Sequence, residues 1–298
     1  MNYKFRKWEP KDINFLIKNY TLLGPEKCAG LLNRSKSSIC TKAFELGIKV
    51  NIKDKTRRFI EHFPQKNNNE YNVNPDTFIS VSIPESAYLL GFIWADGCVV
   101  KKQYKNRKEN KIVIANKIED SEEIKLIAQK TGDWKFHIKP PQKMGHKHQG
   151  VIQTSNKILV EYLISKGYGS KSFDSADKIL ETIPENFLHY WFRGLLDGDG
   201  CIYVNYKKKC AKVTITSALD QNWKYLEDLL IKMKITYYIR KIKNNIGCIS
   251  QLFFSRKSDI SKFLDFVYGR YENDKIGLSR KYKKYMDFIS VVLGSKST

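Results

Sequence analysis

The 298-residue sequence predicts an α+β protein made of two related halves behind a small helical N-terminal module. Three observations carry this. The phrase GFIWADG at 91–97 returns as GLLDGDG at 194–200. After each copy, runs with strand alternation give way to amphipathic helical runs in the same order. The first 50 residues instead show helical spacing and cap signals alone.

In that first segment Pro10 opens a helix running to Tyr20, and Gly24-Pro25 starts a second that ends near Leu32. Ser35 is the N-cap of a third, which ends at Gly47. Trp8, Phe15, Leu16, Cys28, Leu31, Leu32, Ile39, Ala43 and Leu46 recur at helical spacing and supply one small core. Three short helices with tight turns are the plan of a helix-turn-helix. Lys36, Ser37, Ser38, Thr41 and Lys42 project from the third, residue types suited to phosphates and base edges. A module that merely packs is the competing reading. Residues 51–80 are polar and interrupted, and the Asn-rich stretch 65–76 reads as a linker.

The two halves are then 81–180 and 181–298. Strands are expected at CVV and KIVIAN (111–116), GVIQTS (150–155), CIYV and KVTITS (212–217), and ISQLFFS (249–255). Helices are expected at SEEIKLIAQKTG, NKILVEYLISKG, QNWKYLEDLLIKM and SDISKFLDFVYG. Alternation puts Gln153, Thr214, Thr216 and Gln251 on a polar sheet face, which can meet base edges in a major groove. An ordinary amphipathic sheet would alternate in the same way.

Each repeated phrase has the form of the last turns of a helix. Gly91 with Ala95, and Gly194 with Gly198, fall four apart, so two such helices can approach backbone to backbone. Gly97 and Gly200 are the expected C′ residues releasing the chain into a strand. Asp96 and Asp199 then sit at the negative ends of two adjacent helix dipoles, an electrically poor arrangement. A chain that repeats it is suited to binding cations there, and hard oxygen donors favour Mg²⁺.

The charge balance points the same way. With 53 Lys+Arg against 31 Asp+Glu, the net charge is +22, spread along the whole chain. Such a surplus suits a long polyanion, nucleic acid above all. No apolar run approaches a membrane span, and MNYKFRKWEP has no apolar h-region, so the expected location is the interior of a cell or organelle. The six Cys form no C-x-x-C pair and read as reduced, mostly buried thiols. His146 and His148, with His137 nearby, read as a solvated loop rather than a ligand set.

LLGFIWADG and FRGLLDGDG together resemble the LAGLIDADG homing endonucleases in their single-chain, two-motif form, over roughly 81–298. The N-terminal stretch resembles the Myb-like or SANT-like helix-turn-helix modules attached to mobile nucleases. The resemblance implies two pseudo-symmetric αββαββα halves, with the motif helices at a pseudo-twofold axis and an antiparallel β saddle over DNA. It implies Asp96 and Asp199 as catalytic metal ligands, with Gly97 and Gly200 beside them. Lys171 and Lys281 would stand near the scissile phosphates, with Arg280 a rival for the latter, and Asn116 and Ser217 would help to position water. The sixth motif position departs from the family name, being Trp94 in one copy and Asp197 in the other. The implied activity is double-strand cleavage of a long asymmetric DNA site by Mg²⁺-dependent hydrolysis, with Mn²⁺ as a substitute, by a monomer. The alternatives are an RNA maturase acting on intron RNA and a DNA-binding regulator that has lost cleavage.

Overall fold

The computed structural model describes residues 7–48, 72–104, 107–140, 147–244 and 247–294. The chain separates into two compact units, Met1–Asn67 and Asn68–Thr298.

In the first unit, α1 (Pro10–Leu31) is two helices joined at a kink, because Gly24 takes φ 79° and ψ 171° and Pro25 restarts the helix. Helix α2 (Lys36–Glu45) begins where the Ser35 side chain accepts from the Ser38 N–H. It ends at Gly47, whose φ of 64° lets the Ile48 N–H return to the Ala43 carbonyl. Leu16, Cys28, Ile39 and Ala43 form the buried centre, and Trp8, Phe15 and Leu32 pack against it. Leu31, expected in this core, is 65% exposed, since the chain turns at the helix end and Leu32 takes the inward place.

The second unit repeats one plan twice. The first half is α3 (Pro84–Ala95), β1 (Gly97–Tyr104), β2 (Arg107–Lys117), α4 (Ile118–Gln129), β3 (Lys135–Lys139), β4 (Gln149–Thr154) and α5 (Lys157–Ser165). The second half is α6 (Leu188–Asp199), β5 (Gly200–Asn205), β6 (Cys210–Ala218), α7 (Lys224–Lys232), β7 (Tyr238–Asn244), β8 (Gly247–Phe254) and α8 (Lys257–Tyr268), with α9 (Ser279–Asp287) added after it. Both sheets are antiparallel, in the orders β1-β2-β4-β3 and β5-β6-β8-β7. The αββαββα plan implied by the resemblance is present in both halves. The register agrees too: Gly97 faces Ile114 as Gly200 faces Ile215.

One apolar core runs through both halves. Ile112, Ile114 and Ile152 of the first sheet and Val213, Ile215 and Leu252 of the second turn inward under the helices. The motif helices α3 and α6 cross at its centre with almost no side chains between them. A Cβ on Gly91 would lie 1.9 Å from the Trp191 carbonyl oxygen, and one on Gly194 would lie 2.2 Å from that of Tyr88. The small residues of the two phrases are therefore required by contact.

Three expectations are corrected by the structure. Residues 72–80, read as the end of a linker, are packed: Val73 and Phe78 are fully buried in the second unit's core. The rest of that stretch, 51–71, lies outside the described residues. Gly97 and Gly200 are not left-handed C′ residues; Gly200 is extended (φ −88°, ψ 156°), and Gly97 has no positive φ. Each is needed because a Cβ would strike the preceding turn, 2.6 Å from the Ile93 Cα or 2.4 Å from the Leu196 carbonyl oxygen. Of the cysteines only Cys28 is buried, and Cys98, Cys201, Cys210 and Cys248 are exposed, all six being free. Cys98 and Cys201 follow the motif glycines on strands whose alternation turns them to the open face. No helix among the described residues is long and apolar enough to cross a membrane.

Candidate active site at the paired helix ends

Helices α3 and α6 finish side by side, and each ends in a carboxylate. Gly198 allows the close approach, since a Cβ there would lie 2.5 Å from the Ala95 Cβ and 3.5 Å from the Asp96 carboxyl carbon. Asp96 is exposed and accepts from the Asn116 side-chain amide at 2.9 Å. Asp199 is half-buried. Burial pushes its carboxyl up to about 7, and the negative charge of Asp96 adds to the rise, while Lys171 and Lys281 oppose it. Two carboxylates that raise each other's energy form a donor set that a divalent cation would relieve. Among the described residues no group of three or more His, Cys, Asp or Glu could hold a metal. His148 and His137 are exposed, and His146 lies outside the described residues.

The two lysines close the same helix ends. The Lys171 ammonium donates to the carbonyls of Ile93 (3.2 Å), Ala95 (2.7 Å) and Gly97 (2.7 Å). The Lys281 ammonium donates to the carbonyls of Leu196 (3.2 Å) and Gly200. Each puts a positive charge where a helix leaves its last carbonyls unpaired. Burial lowers the pKa of both; for Lys171 the charges of Asp199 and Asp96 counter that, and for Lys281 the charge of Asp197 does so. The carbonyls of Gly97 and Gly200, which the resemblance sets beside the metal, are thus occupied by ammonium groups. Arg280 is drawn off elsewhere, its guanidinium forming two 2.7 Å bonds to Asp120.

Asn116 and Ser217 occupy matching places, two residues beyond the partners of Gly97 and Gly200. Their engagements differ. Ser217 donates to the Gln221 side-chain oxygen at 2.7 Å instead of reaching Asp199. Lys171, Asp199, Ser217 and Gln221 line a polar cavity of about 30 Å³, room for one water molecule.

The sixth motif position separates the halves further. Trp94 packs edge-on against Tyr168 with centroids 5.0 Å apart. Its counterpart Asp197 is buried and accepts from the hydroxyls of Tyr88 (2.8 Å) and Tyr268 and from the Leu278 N–H (2.8 Å). Burial raises its pKa against those hydrogen bonds. Sequence reasoning noted this departure and gave it no role; an acidic residue inside an otherwise apolar motif helix was the available signal.

The open face of the second sheet carries Thr214, Thr216 and Gln251, all half-buried. Gln251 donates to Thr216 at 3.1 Å and accepts two bonds from Arg240, at 2.9 and 2.7 Å. Beside them Lys212 lies 3.9 Å above the Phe253 ring, which stacks on Tyr238. The first sheet presents Gln153, paired with Val113 and Lys135.

In the N-terminal unit, Lys36, Ser37 and Thr41 of α2 are exposed, while Ser38 and Lys42 are half-buried. These five were expected to share one outer side. Helical spacing sets Ser38 and Lys42 next to the inward Ile39 and Ala43, and Lys42 instead pairs with Glu45 and lies 5.6 Å over the Trp8 ring. Arg34 lies 4.0 Å from the same ring and is paired with buried Asp12 at 2.9 Å. Phe44, which the sequence did not single out, is 86% exposed.

Residues 186–267 match the model of the LAGLIDADG-like domain. The ribonucleoside-diphosphate reductase NrdEB subunit alpha of Bacillus subtilis (strain 168) and that of Bacillus phage SPbeta are each 22% identical over 157 residues. The matched stretch is 51% of this chain and 14% of each relative's length. Among solved structures, mesophilic variants of the homing endonuclease I-DmoI align over 64% of this chain and 97% of theirs, at 20% identity and a TM-score of 0.45. The LAGLIDADG meganuclease I-AabMI, bound to uncleaved DNA, aligns over 70% of this chain and 90% of its own, at 16% identity and a TM-score of 0.47.

Proposed function

We propose that this chain, whose residues 186–267 carry a LAGLIDADG-like domain, is a site-specific DNA endonuclease that cuts both strands of a long asymmetric target with the help of a divalent cation. The observation that carries the reading is the pair Asp96 and Asp199 at abutting helix ends, each end closed by a lysine, half-buried Lys171 on one and buried Lys281 on the other. The +22 charge and the polar open sheet faces support a duplex as substrate. Residues 81–180 and 181–298 would each serve one strand, with residues 1–50 adding DNA contacts.

Asp96 and Asp199 would hold the cation, Mg²⁺ with Mn²⁺ as a substitute, and phosphate oxygens of the DNA would complete its shell. Two carboxylates plus substrate phosphates are a common Mg²⁺ donor set. When bound, the cation supplies Lewis-acid polarisation of the phosphodiester and acidifies water. Asn116 fixes the orientation of the Asp96 carboxylate. Ser217 and Gln221 line the cavity that can seat a water next to Asp199. Lys171 and Lys281 hold fixed positive charge where the phosphate gains negative charge in the transition state.

The test is incubation of the purified chain with a randomised duplex library, with Mg²⁺ or with EDTA, followed by sequencing of the cut ends. Mg²⁺-dependent double-strand ends at one sequence class support the reading. Binding of duplex DNA or of structured intron RNA without any cleavage overturns it in favour of a regulator or a maturase.

A further inference from the structure

Resting on the nuclease reading, we infer that each catalytic lysine is held in position by a residue from the opposite half, through a reciprocal latch between Asp120 and Arg280 on one side and Gln221 and Lys171 on the other. Asp120 and Gln221 are pseudo-equivalent: each stands four residues beyond Asn116 or Ser217, where the central strand gives way to a helix. Both have their partner in the opposite half. Asp120, buried at the start of α4, takes both Arg280 bonds, and Arg280 immediately precedes Lys281. Gln221 donates to the backbone carbonyl of Lys171 at 3.0 Å.

The first latch is the stronger. A bidentate carboxylate–guanidinium pair with one buried partner fixes orientation as well as distance. Glu123, one turn further along α4, adds to it by accepting from the Ser279 N–H (2.7 Å) and hydroxyl (2.9 Å). That caps the N-terminus of α9 with a carboxylate from the other half. The whole first turn of α9, which carries Lys281, is therefore pinned by α4. Lys171 lies in a loop after α5 and has one neutral amide in the same role, and that amide also accepts from Ser217.

The arrangement predicts crosswise control: the first half positions the lysine of the second, and the reverse. Asp120→Asn and Gln221→Ala separate the two, read by lysine ammonium ¹⁵N signals and by strand-resolved nicking of an end-labelled duplex target. We expect Asp120→Asn to move the Lys281 signal and leave that of Lys171, and Gln221→Ala to do the opposite. The ratio of the two strand rates shifts about tenfold in opposite senses, since small misplacement of a positioned group costs this much or more. Arg280→Gln shifts the ratio as Asp120→Asn does, and the double variant loses no more than either. Should Asp120→Asn not fold, Arg280→Gln carries the same expectation from the half-exposed side of the pair. Signals that move within the mutated half, or strand rates that fall equally, overturn the latch. If the wild-type chain cuts neither strand, the nuclease reading fails, and the ammonium signals alone decide the latch.

Discussion

Lys171 and Lys281 close the two motif helices at equivalent carbonyls, those of Ile93 and Gly97 in one half and of Leu196 and Gly200 in the other. Each ammonium is held by these carbonyls in the absence of substrate, so under the nuclease reading its charge would need no reorganisation during cleavage. Lys171→Met and Lys281→Met should each lower the single-turnover cleavage rate by about 10²–10³ while DNA affinity changes only a few-fold. Equal losses in rate and affinity would mean that these lysines merely bind.

The protonation of Asp199 sets a pH dependence of stability. Its folded pKa is raised to about 7, so the folded state holds a proton that the unfolded chain releases above its ordinary carboxylate range. The stabilisation is full below about pH 4 and is lost as pH rises through 7. In EDTA, urea-unfolding free energy should fall over that window by about 4 kcal/mol at most, relative to Asp199→Asn. Mg²⁺ should flatten the fall. A wild type and variant with the same slope would mean that burial and the charge of Asp96 do not hold Asp199 protonated in the folded state.

Glycines test the close approach of α3 and α6. Gly194→Ala must push its methyl group against the Tyr88 oxygen and the Phe92 nitrogen, 2.2 and 2.6 Å away, both backbone atoms. The cost should exceed about 3 kcal/mol in urea unfolding. Gly30→Ala, with nothing within 4 Å, should instead stabilise the N-terminal unit by about 0.5–1 kcal/mol.

Asp197 offers two acceptor oxygens to three donors. Asp197→Asn turns an amide N–H toward Tyr88, Tyr268 or the Leu278 N–H, leaving one buried donor unpaired. A loss of about 1–3 kcal/mol is expected from thermal or urea unfolding. No change would mean that the tyrosines and Leu278 hold this corner without the carboxylate.

The sequence made the centre of this molecule readable and its margins less so. The glycine spacing of the two phrases predicted the helix contact because only small residues permit it, and KIVIAN, GVIQTS, KVTITS and ISQLFFS alternate because one face of each is buried. The edge strands β3 (KFHIK) and β7 (YIRKIKN) were missed, since a basic edge strand shows no such contrast. Helix α9 was missed for its Lys and Tyr content, its register being set by Glu123 and Asp120 from far along the chain. The candidate carboxylates and lysines were readable through the resemblance. The partners that distinguish the halves, Gln221 for Ser217 and Tyr88 and Tyr268 for Asp197, depend on tertiary contacts that no local spacing encodes.

As a nuclease, the protein would need Asp96 and Asp199 to act together on a duplex. Strand-resolved cleavage of the selected target with Mg²⁺ should show wild type cutting both strands, and Asp96→Asn and Asp199→Asn each binding the target but failing to make double-strand breaks. Either variant cutting both strands at the wild-type rate would reduce that carboxylate to a helix terminator and contradict the account.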